Sequence, residues 1–228
     1  MERAELYRDI AQRTQGDIYL GVVGPVRTGK STFIRRFMDT LVIPGIDNEY
    51  IRERVVDELP QSGSGKTVMT TQPKFVPNDA VTISLGDEKT ELSVRMIDCV
   101  GFMVEGALGG LEEDVPRMVR TPWYDREIPF DEAAEIGTRK VITEHSTVGI
   151  VVLTDGSITG LSRSAYSPAE EKVFDELKRT GKPFAVVLNS ARPQSEDAQA
   201  LRTGLENKYH VPVTAMNLKE MSAENVQS

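Results

Sequence analysis

One stretch near the amino terminus decides the fold: IYLGVVGPVRTGKSTFIRRF, residues 18–37. It begins with an apolar run, 18–23, that is typical of a buried strand, and it ends in a segment with helical apolar spacing that we expect to span 30–41. The turn between them, 24–31, satisfies G-x-x-x-x-G-K-[ST] in the strand-to-helix context that this pattern requires. The sequence therefore predicts a phosphate-binding loop, or P-loop.

The residues of this loop have the chemistry that a bound nucleotide needs. Glycines allow successive backbone N–H groups to converge on phosphate oxygens, and the amino terminus of the helix adds its dipole. Lys30 is expected to reach the β- and γ-phosphates, and the Ser31 hydroxyl is expected to bind Mg²⁺. The predicted nucleotide-binding residues of the loop are Gly24, Arg27, Thr28, Gly29, Lys30, Ser31 and Thr32.

Strands alternate with helices along the rest of the chain. An antiparallel hairpin is expected from 81–85 and 92–97, and Ser167 followed by Pro168 is typical of a helix start. This alternation predicts an α/β fold with a mostly parallel sheet, one antiparallel hairpin strand and helices on both faces. The further predicted strands are 148–153, 184–188 and 211–215, and the further helices are 48–59, 131–144, 167–178 and 196–208.

The composition fits one enlarged domain over residues 1–228. A net charge of −8 argues against a protein that coats nucleic acid, so no nucleic-acid partner is expected. The single cysteine, Cys99, excludes an internal disulfide and indicates a reducing compartment. The charged amino terminus lacks the apolar run of a signal peptide, and no apolar run is long enough to span a bilayer. We therefore expect a cytoplasmic protein.

A carboxylate follows the second strand of the predicted hairpin. Asp98-Cys-Val-Gly101 matches the D-x-x-G motif of switch GTPases. Asp98 is expected to hold Mg²⁺, and the Gly101 N–H is expected to face the γ-phosphate. The alternative is a strand-end aspartate that only caps a turn.

Two long stretches without clear periodicity, 60–78 and 98–130, occupy the places of the switch I and switch II loops. The first contains Thr70 and Thr71, at the position where switch GTPases place a magnesium-binding threonine. We expect Mg²⁺ to be bound by Ser31, Asp98 and one threonine of this pair. Thr71 is the first candidate, and Thr70 is the alternative.

The base-reading motif departs from that of switch GTPases. Where those proteins carry N-K-x-D, this chain has Asn189-Ser190-Ala191-Arg192. The missing aspartate accepts two hydrogen bonds from guanine, and a guanidinium only donates. Asn189 is retained as a predicted nucleotide contact, but the guanine preference is lost, so we expect ATP as the substrate.

The residue that follows D-x-x-G also differs, because Phe102 stands where a glutamine often orients the attacking water. Thr70 or Thr71 is the expected substitute, and Arg27 is a candidate cation for the transition state. The predicted catalytic residues are thus Arg27, Lys30, Thr70, Thr71 and Asp98. Two rival functions stay open: a regulatory GTPase with relaxed base specificity, which Asn189 favours, and a P-loop kinase that uses Arg117 and Arg120 as lid residues.

Several segments beyond the P-loop resemble the stage IV sporulation protein A family of spore-coat ATPases. The resemblance covers essentially the whole chain, and its loop segments are more specific than a phosphate-loop motif alone. The segments that carry it are 24–33, 57–62, 66–77, 98–101, 116–118, 121–124 and 132–142.

This resemblance implies a P-loop fold of the translation-factor and switch-GTPase type that hydrolyses ATP with Mg²⁺. It also implies that hydrolysis drives self-assembly into a homopolymer, the basement layer of the spore coat, in the mother-cell cytoplasm at the forespore's outer membrane. Membrane association would be indirect, through stage V sporulation protein M, other coat proteins and regions beyond this chain. Because family members are considerably longer, 228 residues are expected to be the amino-terminal ATPase region.

Overall fold

A six-stranded sheet forms the centre of the structure. The structure is a computed structural model, and it describes residues 17–60, 72–85, 90–107, 110–112 and 115–222. Helices connect the parallel strands of this sheet, and two short two-stranded sheets follow its third strand. In chain order the elements are β1 (Asp17–Val23), α1 (Lys30–Phe37), α2 (Glu49–Glu58), β2 (Lys74–Leu85), β3 (Thr90–Asp98), β4 (Leu111–Glu112), β5 (Val115–Pro116), β6 (Met118–Thr121), β7 (Tyr124–Pro129), α3 (Phe130–Lys140), β8 (Val148–Thr154), α4 (Arg163–Thr180), β9 (Phe184–Asn189), α5 (Glu196–Tyr209) and β10 (Val213–Met216).

The strand order is β10-β9-β8-β1-β3-β2. Five of these strands run parallel, and β2 pairs antiparallel with β3 at one edge. This confirms the predicted α/β class with a mostly parallel sheet and one antiparallel hairpin strand. The carboxyl ends of β1, β3, β8 and β9 consequently meet at one edge of the sheet, where ligands of open α/β sheets usually bind.

Successive side chains of the central strands pack into two separate hydrophobic cores, one on each face of the sheet. Val23, Val151 and Leu188 pack on one face with residues of α3, α4 and α5. Val22 and Val152 pack on the other face with residues of α1 and α2. Both faces are therefore covered by helices, as predicted, and apolar residues occupy consecutive positions of these strands because each side needs them.

Two predicted helices continue into π-helical turns. The first α-helix ends at Phe37, and residues Met38–Val42 continue as one π-helical segment with buried Met38 and Val42. The segment Val141–His145 follows α3 in the same way. Helical apolar spacing is shared by both geometries, so the predicted spans 30–41 and 131–144 cover them without a break.

The predicted start of the fourth helix at Ser167 is wrong. Helix α4 begins at Arg163, with Ser162 as its N-cap residue, and contains Pro168. The earlier turn forms because Tyr166 is fully buried and its hydroxyl donates to Thr159 Oγ1 at 2.8 Å. Tertiary burial therefore overrides the local capping pattern.

The predicted loop 60–78 is shorter than expected at its carboxyl end. Strand β2 begins at Lys74 and pairs with β3 up to Val76, and after a register shift the pairing resumes at Val81. This irregularity hides the first half of the strand, because it breaks the period-2 pattern on which the prediction rests. Thr70 and Thr71 lie outside the described residues.

The predicted loop 98–130 contains a hairpin. Strands β6 and β7 pair antiparallel, and Arg120 forms an ion pair with Glu127 at 3.4 Å across them. The Arg117 guanidinium lies over the Phe130 ring at 4.9 Å. Strand β7 is largely exposed and carries three charged residues, and β6 is short and half exposed, so the pair lacks the apolar alternation that marks a buried strand.

Candidate functional site

The loop 24–31 joins the carboxyl end of β1 to α1 in a conformation that few residue types adopt. Gly24 and Gly29 have φ values of 143° and 102°, and Arg27 has a φ of 64°. A Cβ at Gly24 would lie 2.3 Å from the carbonyl oxygen of Val152, in the neighbouring strand β8. Glycine is required at position 24 because the loop backbone packs directly on the sheet.

Lys30 is enclosed by the backbone of its own loop. Lys30 is only 5% exposed, and its Nζ donates to the Pro25 carbonyl at 2.6 Å and to the Gly24 carbonyl at 3.5 Å. Burial lowers the pKa of this ammonium, while the neighbouring carboxylate of Asp98 acts in the opposite direction. The loop thus holds a cation in a place that its carbonyl oxygens stabilise.

Ser31 and Asp98 are brought together by the register of the sheet. Val22 of β1 pairs with Asp98, the last residue of β3, so the end of β3 lies beside the loop that leads from β1 to Ser31 in α1. The Ser31 hydroxyl donates to Asp98 Oδ2 at 2.7 Å, and Oδ1 is buried without a hydrogen-bond partner. Burial raises the pKa of the Asp98 carboxyl, and the Ser31 hydrogen bond and Lys30 oppose the rise.

This donor set fits Mg²⁺. A hydroxyl and a carboxylate with a free, buried oxygen are hard oxygen ligands, and Mg²⁺ in proteins uses one or two carboxylates together with substrate phosphates. Within the described ranges, no three His, Cys, Asp or Glu side chains gather into a metal site. A cation that takes only two protein side chains there is consistent with both observations.

The segment that follows Asp98 is hydrogen-bonded to the loop. Phe102 N donates to the Gly24 carbonyl at 3.3 Å, and Val26 N donates to the Phe102 carbonyl at 2.9 Å. A Cβ at Gly101 would lie 2.2 Å from the Gly24 oxygen and 2.5 Å from Lys30 Nζ. The D-x-x-G segment is thus in direct contact with the phosphate-loop candidate.

The Phe102 side chain is 1% exposed and belongs to the core. It therefore contributes packing at the position where a polar residue would orient water. The Gly101 amide donates to Thr138 Oγ1 of α3 at 3.1 Å. Sequence reasoning missed Thr138, and no local signal marks it, because its contact with Gly101 spans 37 positions in the chain.

Asn189 braces the loop from the end of β9. Its amide nitrogen donates to the Thr28 carbonyl at 3.0 Å, and its amide oxygen accepts from Leu218 N at 3.2 Å. The side chain is 4% exposed. A Cβ at Gly29 would lie 2.5 Å from the Asn189 amide nitrogen. The residue predicted to contact the nucleotide therefore connects the end of β9 to the loop after β1 and to the segment after β10.

The other predicted residues occupy varied positions around the loop. The Thr28 hydroxyl donates to the Pro25 carbonyl at 3.1 Å inside the loop, and Thr32 is half-buried in the first turn of α1. Arg27 is half-buried near Tyr166, where burial raises the pKa of the phenol and the Arg27 cation opposes the rise. The structure thus gathers every described member of the predicted set at one edge of the sheet.

Arg192, which replaces the base-reading aspartate, lines a cavity of about 380 Å³ between the amino-terminal ends of α4 and α5. This cavity also presents two carboxylates, Asp155 and Asp197, and two hydroxyls, Ser157 and Ser195. The preceding Ser190 is buried, and its hydroxyl accepts from Arg192 N at 3.0 Å. Position 190 therefore shapes the turn, while position 192 lines a cavity whose other charged residues are Asp155, Arg163 and Asp197.

The fold and this edge of the sheet define a class: an α/β protein with a glycine-rich loop between its first strand and first helix. The family model described as stage IV sporulation protein A, ATPase domain, matches residues 1–228. The chain belongs to this family, and it is therefore a sporulation-related ATPase domain. In the described part of the chain, no helix has both the length and the apolar character needed to cross a membrane.

Two curated relatives illustrate the match. The chain is 60% identical over 222 residues to stage IV sporulation protein A of Clostridioides difficile (strain 630), covering 97% of this chain and 45% of that protein. It is 55% identical over 228 residues to the Bacillus subtilis (strain 168) protein of the same name, covering 100% and 46%. The chain thus spans about half the length of the curated relatives it matches.

Among solved structures, a mutation variant of SsGBP is similar to this chain with a TM-score of 0.51 and 13% sequence identity. The match covers 100% of this chain and 61% of that one. At this level of identity the likeness shows the fold alone, and it agrees with the mostly parallel sheet described above.

Proposed function

We propose that this chain is a P-loop NTPase domain of the translation-factor and switch-GTPase type, and that it hydrolyses ATP to ADP and phosphate. One observation carries the proposal: the Ser31 hydroxyl bonds one oxygen of Asp98 while the other is buried without a partner, beside the enclosed Lys30 ammonium. A cation site and a fixed positive charge at the mouth of a glycine-rich loop are what phosphoryl transfer requires. Family membership supports ATP as the substrate.

Mg²⁺ would be held by Ser31 and Asp98, with Thr71 or its neighbour Thr70 as the proposed third ligand. When bound, this ion neutralises charge on the phosphates and fixes their orientation. The protein prepares the site by placing a partly desolvated carboxylate next to a hydroxyl that is already oriented toward it.

Lys30 and the loop backbone stabilise the negative charge of the triphosphate. The amide N–H groups that open α1 carry partial positive charge, and the helix dipole adds to it. Lys30 is preorganised because two carbonyl groups hold its ammonium, so little reorganisation accompanies charge development in the transition state. Gly24, Arg27, Thr28, Gly29 and Thr32 complete the proposed nucleotide cradle.

The attacking water needs a polar partner other than residue 102. Because Phe102 is buried in the core, we propose that Thr70 or Thr71 orients this water, as the sequence predicts. Arg27 is the proposed built-in cation for the transition state. Its place on the loop 24–31 itself supports this role.

The segment after β9 supports ATP over GTP. Asn189 remains a proposed nucleotide contact, but the acceptor that reads guanine is absent, and Arg192 lines a cavity with Asp155, Arg163 and Asp197. A regulatory GTPase is the second candidate, favoured by the retained Asn189. Preferential displacement of labelled ATP by unlabelled GTP would select that candidate.

In the whole protein, we propose that hydrolysis switches the chain into a self-assembling state that forms the basement layer of the spore coat. The names of the relatives support a role in sporulation. Contacts with stage V sporulation protein M, and the indirect attachment to the forespore outer membrane from the mother-cell cytoplasm, would use parts of the whole protein outside residues 1–228.

Phosphate release with ATP and with GTP, followed by sedimentation of the products, tests this proposal. The full-length protein should release phosphate from ATP in a Mg²⁺-dependent reaction and then sediment, and a Lys30→Ala variant should do neither. A Lys30→Ala protein that no longer hydrolyses ATP but still polymerises normally would refute the coupling. Transfer of the γ-phosphate to an acceptor, with no free phosphate, would indicate a kinase instead.

A further inference from the structure

The Gly101 amide is already engaged by a helix. Its N–H donates to Thr138 Oγ1 of α3 at 3.1 Å, although Gly101 itself lies against the loop 24–31. A Cβ at this position would be 2.5 Å from Lys30 Nζ. The peptide is therefore beside the proposed phosphate site while its hydrogen is directed to α3.

The Thr138 hydroxyl is fixed in this role by its own hydrogen bond. It donates its single proton to the Ala134 carbonyl at 2.8 Å, one turn earlier in the same helix, and so offers Gly101 a lone pair. Thr138 is completely buried, which leaves no solvent to replace the contact. A buried amide that lost this acceptor would need another one.

We propose that Thr138 is a positioning residue that holds the Gly101 amide when no γ-phosphate is present and releases it when ATP binds. This inference rests on the proposed function, in which the D-x-x-G glycine donates to the γ-phosphate. One amide hydrogen does not form two full hydrogen bonds, so the two acceptors compete. ADP lacks the competing oxygen, and the Thr138 contact persists with it.

This exchange connects the nucleotide to the outer surface through α3. Arg139, the residue after Thr138, pairs with Glu176 of α4 at 2.9 Å, and Glu135 pairs with Lys172 of α4 at 2.8 Å. Release of the Gly101 amide therefore removes a hydrogen bond from the buried side of α3, whose outer side forms ion pairs with α4. The state of the γ-phosphate is thereby transmitted to the α3–α4 surface.

Nucleotide titrations of three variants test the inference, with Mg²⁺ and either ADP or the β,γ-imido analogue of ATP as the probes. Thr138→Val keeps the shape and removes the acceptor, Thr138→Ser keeps the hydroxyl, and Thr143→Val is a matched control. Thr143 makes the same kind of back-bond, to the Arg139 carbonyl at 3.0 Å, on an exposed surface.

The ratio of analogue affinity to ADP affinity is the quantity to compare. It should rise about five-fold in Thr138→Val, because analogue binding no longer breaks one neutral hydrogen bond. In Thr138→Ser and Thr143→Val it should stay within about two-fold of the wild-type ratio. An unchanged ratio in Thr138→Val, or an equal rise in Thr138→Ser, would overturn the inference.

A measurement on the unmodified protein keeps the test independent of whether the variants fold. The ¹⁵N-labelled Gly101 amide resonance should move with the imido analogue and stay close to its nucleotide-free position with ADP; equal movement with both would overturn the inference. If wild-type protein binds neither nucleotide, the proposed function fails as well. Normal wild-type binding with an unchanged ratio refutes the role of Thr138 alone.

Discussion

Two segments follow parallel strands at the same edge of the sheet, 24–31 after β1 and 189–195 after β9, and they differ in how much of a nucleotide-site motif they retain. The first retains the whole pattern and is hydrogen-bonded to the segment after β3. The second retains only Asn189, the residue that braces the first loop through Thr28. At the positions that differ, the Ser190 hydroxyl accepts from Arg192 N within its own segment, and Arg192 lines a cavity.

This difference separates framework from specificity. Asn189 is needed for the shape of this edge of the sheet with any nucleotide. Its amide connects the end of β9 to the loop after β1 and to the segment after β10. Arg192 lines a cavity between α4 and α5, which it shares with Asp155, Arg163 and Asp197. A substitution at position 192 is therefore expected to leave the loop 24–31 in place.

The largest expected effect comes from removing the cation of the first segment. Lys30→Ala should lower the rate of phosphate release from ATP by about 10²–10³-fold, because transition-state charge loses a preorganised partner. Steady-state phosphate release measures this. Lys182→Ala is the matched control, since Lys182, like Lys30, donates to backbone carbonyls. Its three partners are the carbonyls of Ile142, Thr143 and Ser146. The control should keep its activity, and an equal loss in both variants would contradict the assignment.

Asp98→Asn should reduce Mg²⁺-dependent phosphate release by at least about 100-fold, because the neutral amide binds the ion weakly. It should also stabilise the folded protein at neutral pH, because burial disfavours the charged carboxylate and a neutral amide avoids that cost. Chemical denaturation of wild type and variant in parallel measures this. A loss of activity without a gain in stability would show that the buried Asp98 oxygen has a hydrogen-bond partner in the wild-type protein.

The same pair of proteins gives a pH test with a defined sign. The pKa of Asp98 is raised in the folded state, mainly by burial, so the folded protein binds this proton more tightly than the unfolded chain. That contribution to stability is present at low pH and is lost as pH rises through the raised pKa. The stability advantage of Asp98→Asn should therefore grow from acidic to neutral pH, and a constant difference would contradict the shift.

Asn189→Ala tests the link between the two segments. Removing both hydrogen bonds should cost about 2–4 kcal/mol of stability, because a buried carbonyl and a buried N–H lose their partner. The KM values for ATP and GTP should rise together, since the loop 24–31 that Asn189 braces would hold the phosphates of both nucleotides. Ser190→Ala is the control, with a loss of about 1 kcal/mol for its single hydrogen bond to Arg192 N. A selective rise for one nucleotide would make Asn189 a base reader.

Arg192→Ala should have the smallest effect. Its guanidinium lines the cavity between α4 and α5, so the KM for ATP should stay within about two-fold of the wild-type value. Arg202→Ala, which removes the pair with Glu206 on α5, provides the surface control. A ten-fold change confined to Arg192→Ala would show that position 192 reaches the nucleotide and would weaken the separation of framework from specificity.

The regular elements were predictable where one local signal sufficed. Residues 48–59 carry their own N-cap, since Asn48 Oδ1 accepts from Ile51 N at 3.1 Å, and the predicted helix is observed. At Ser167 an equally good local signal failed, because the buried Tyr166 draws the preceding turn into the helix. Strand β2 was only half predicted, because its register shift interrupts the alternation.

The sequence by itself determined the phosphate-loop candidate, the mostly parallel sheet and the convergence of Lys30, Ser31 and Asp98, because each depends on spacing along the chain and on the end at which a parallel strand stops. Tertiary structure alone decided that Asn189 braces the loop, that Arg192 faces a cavity with two carboxylates, and that Thr138 holds Gly101. These are contacts between residues remote in sequence, and the packing of helices on the sheet selects them.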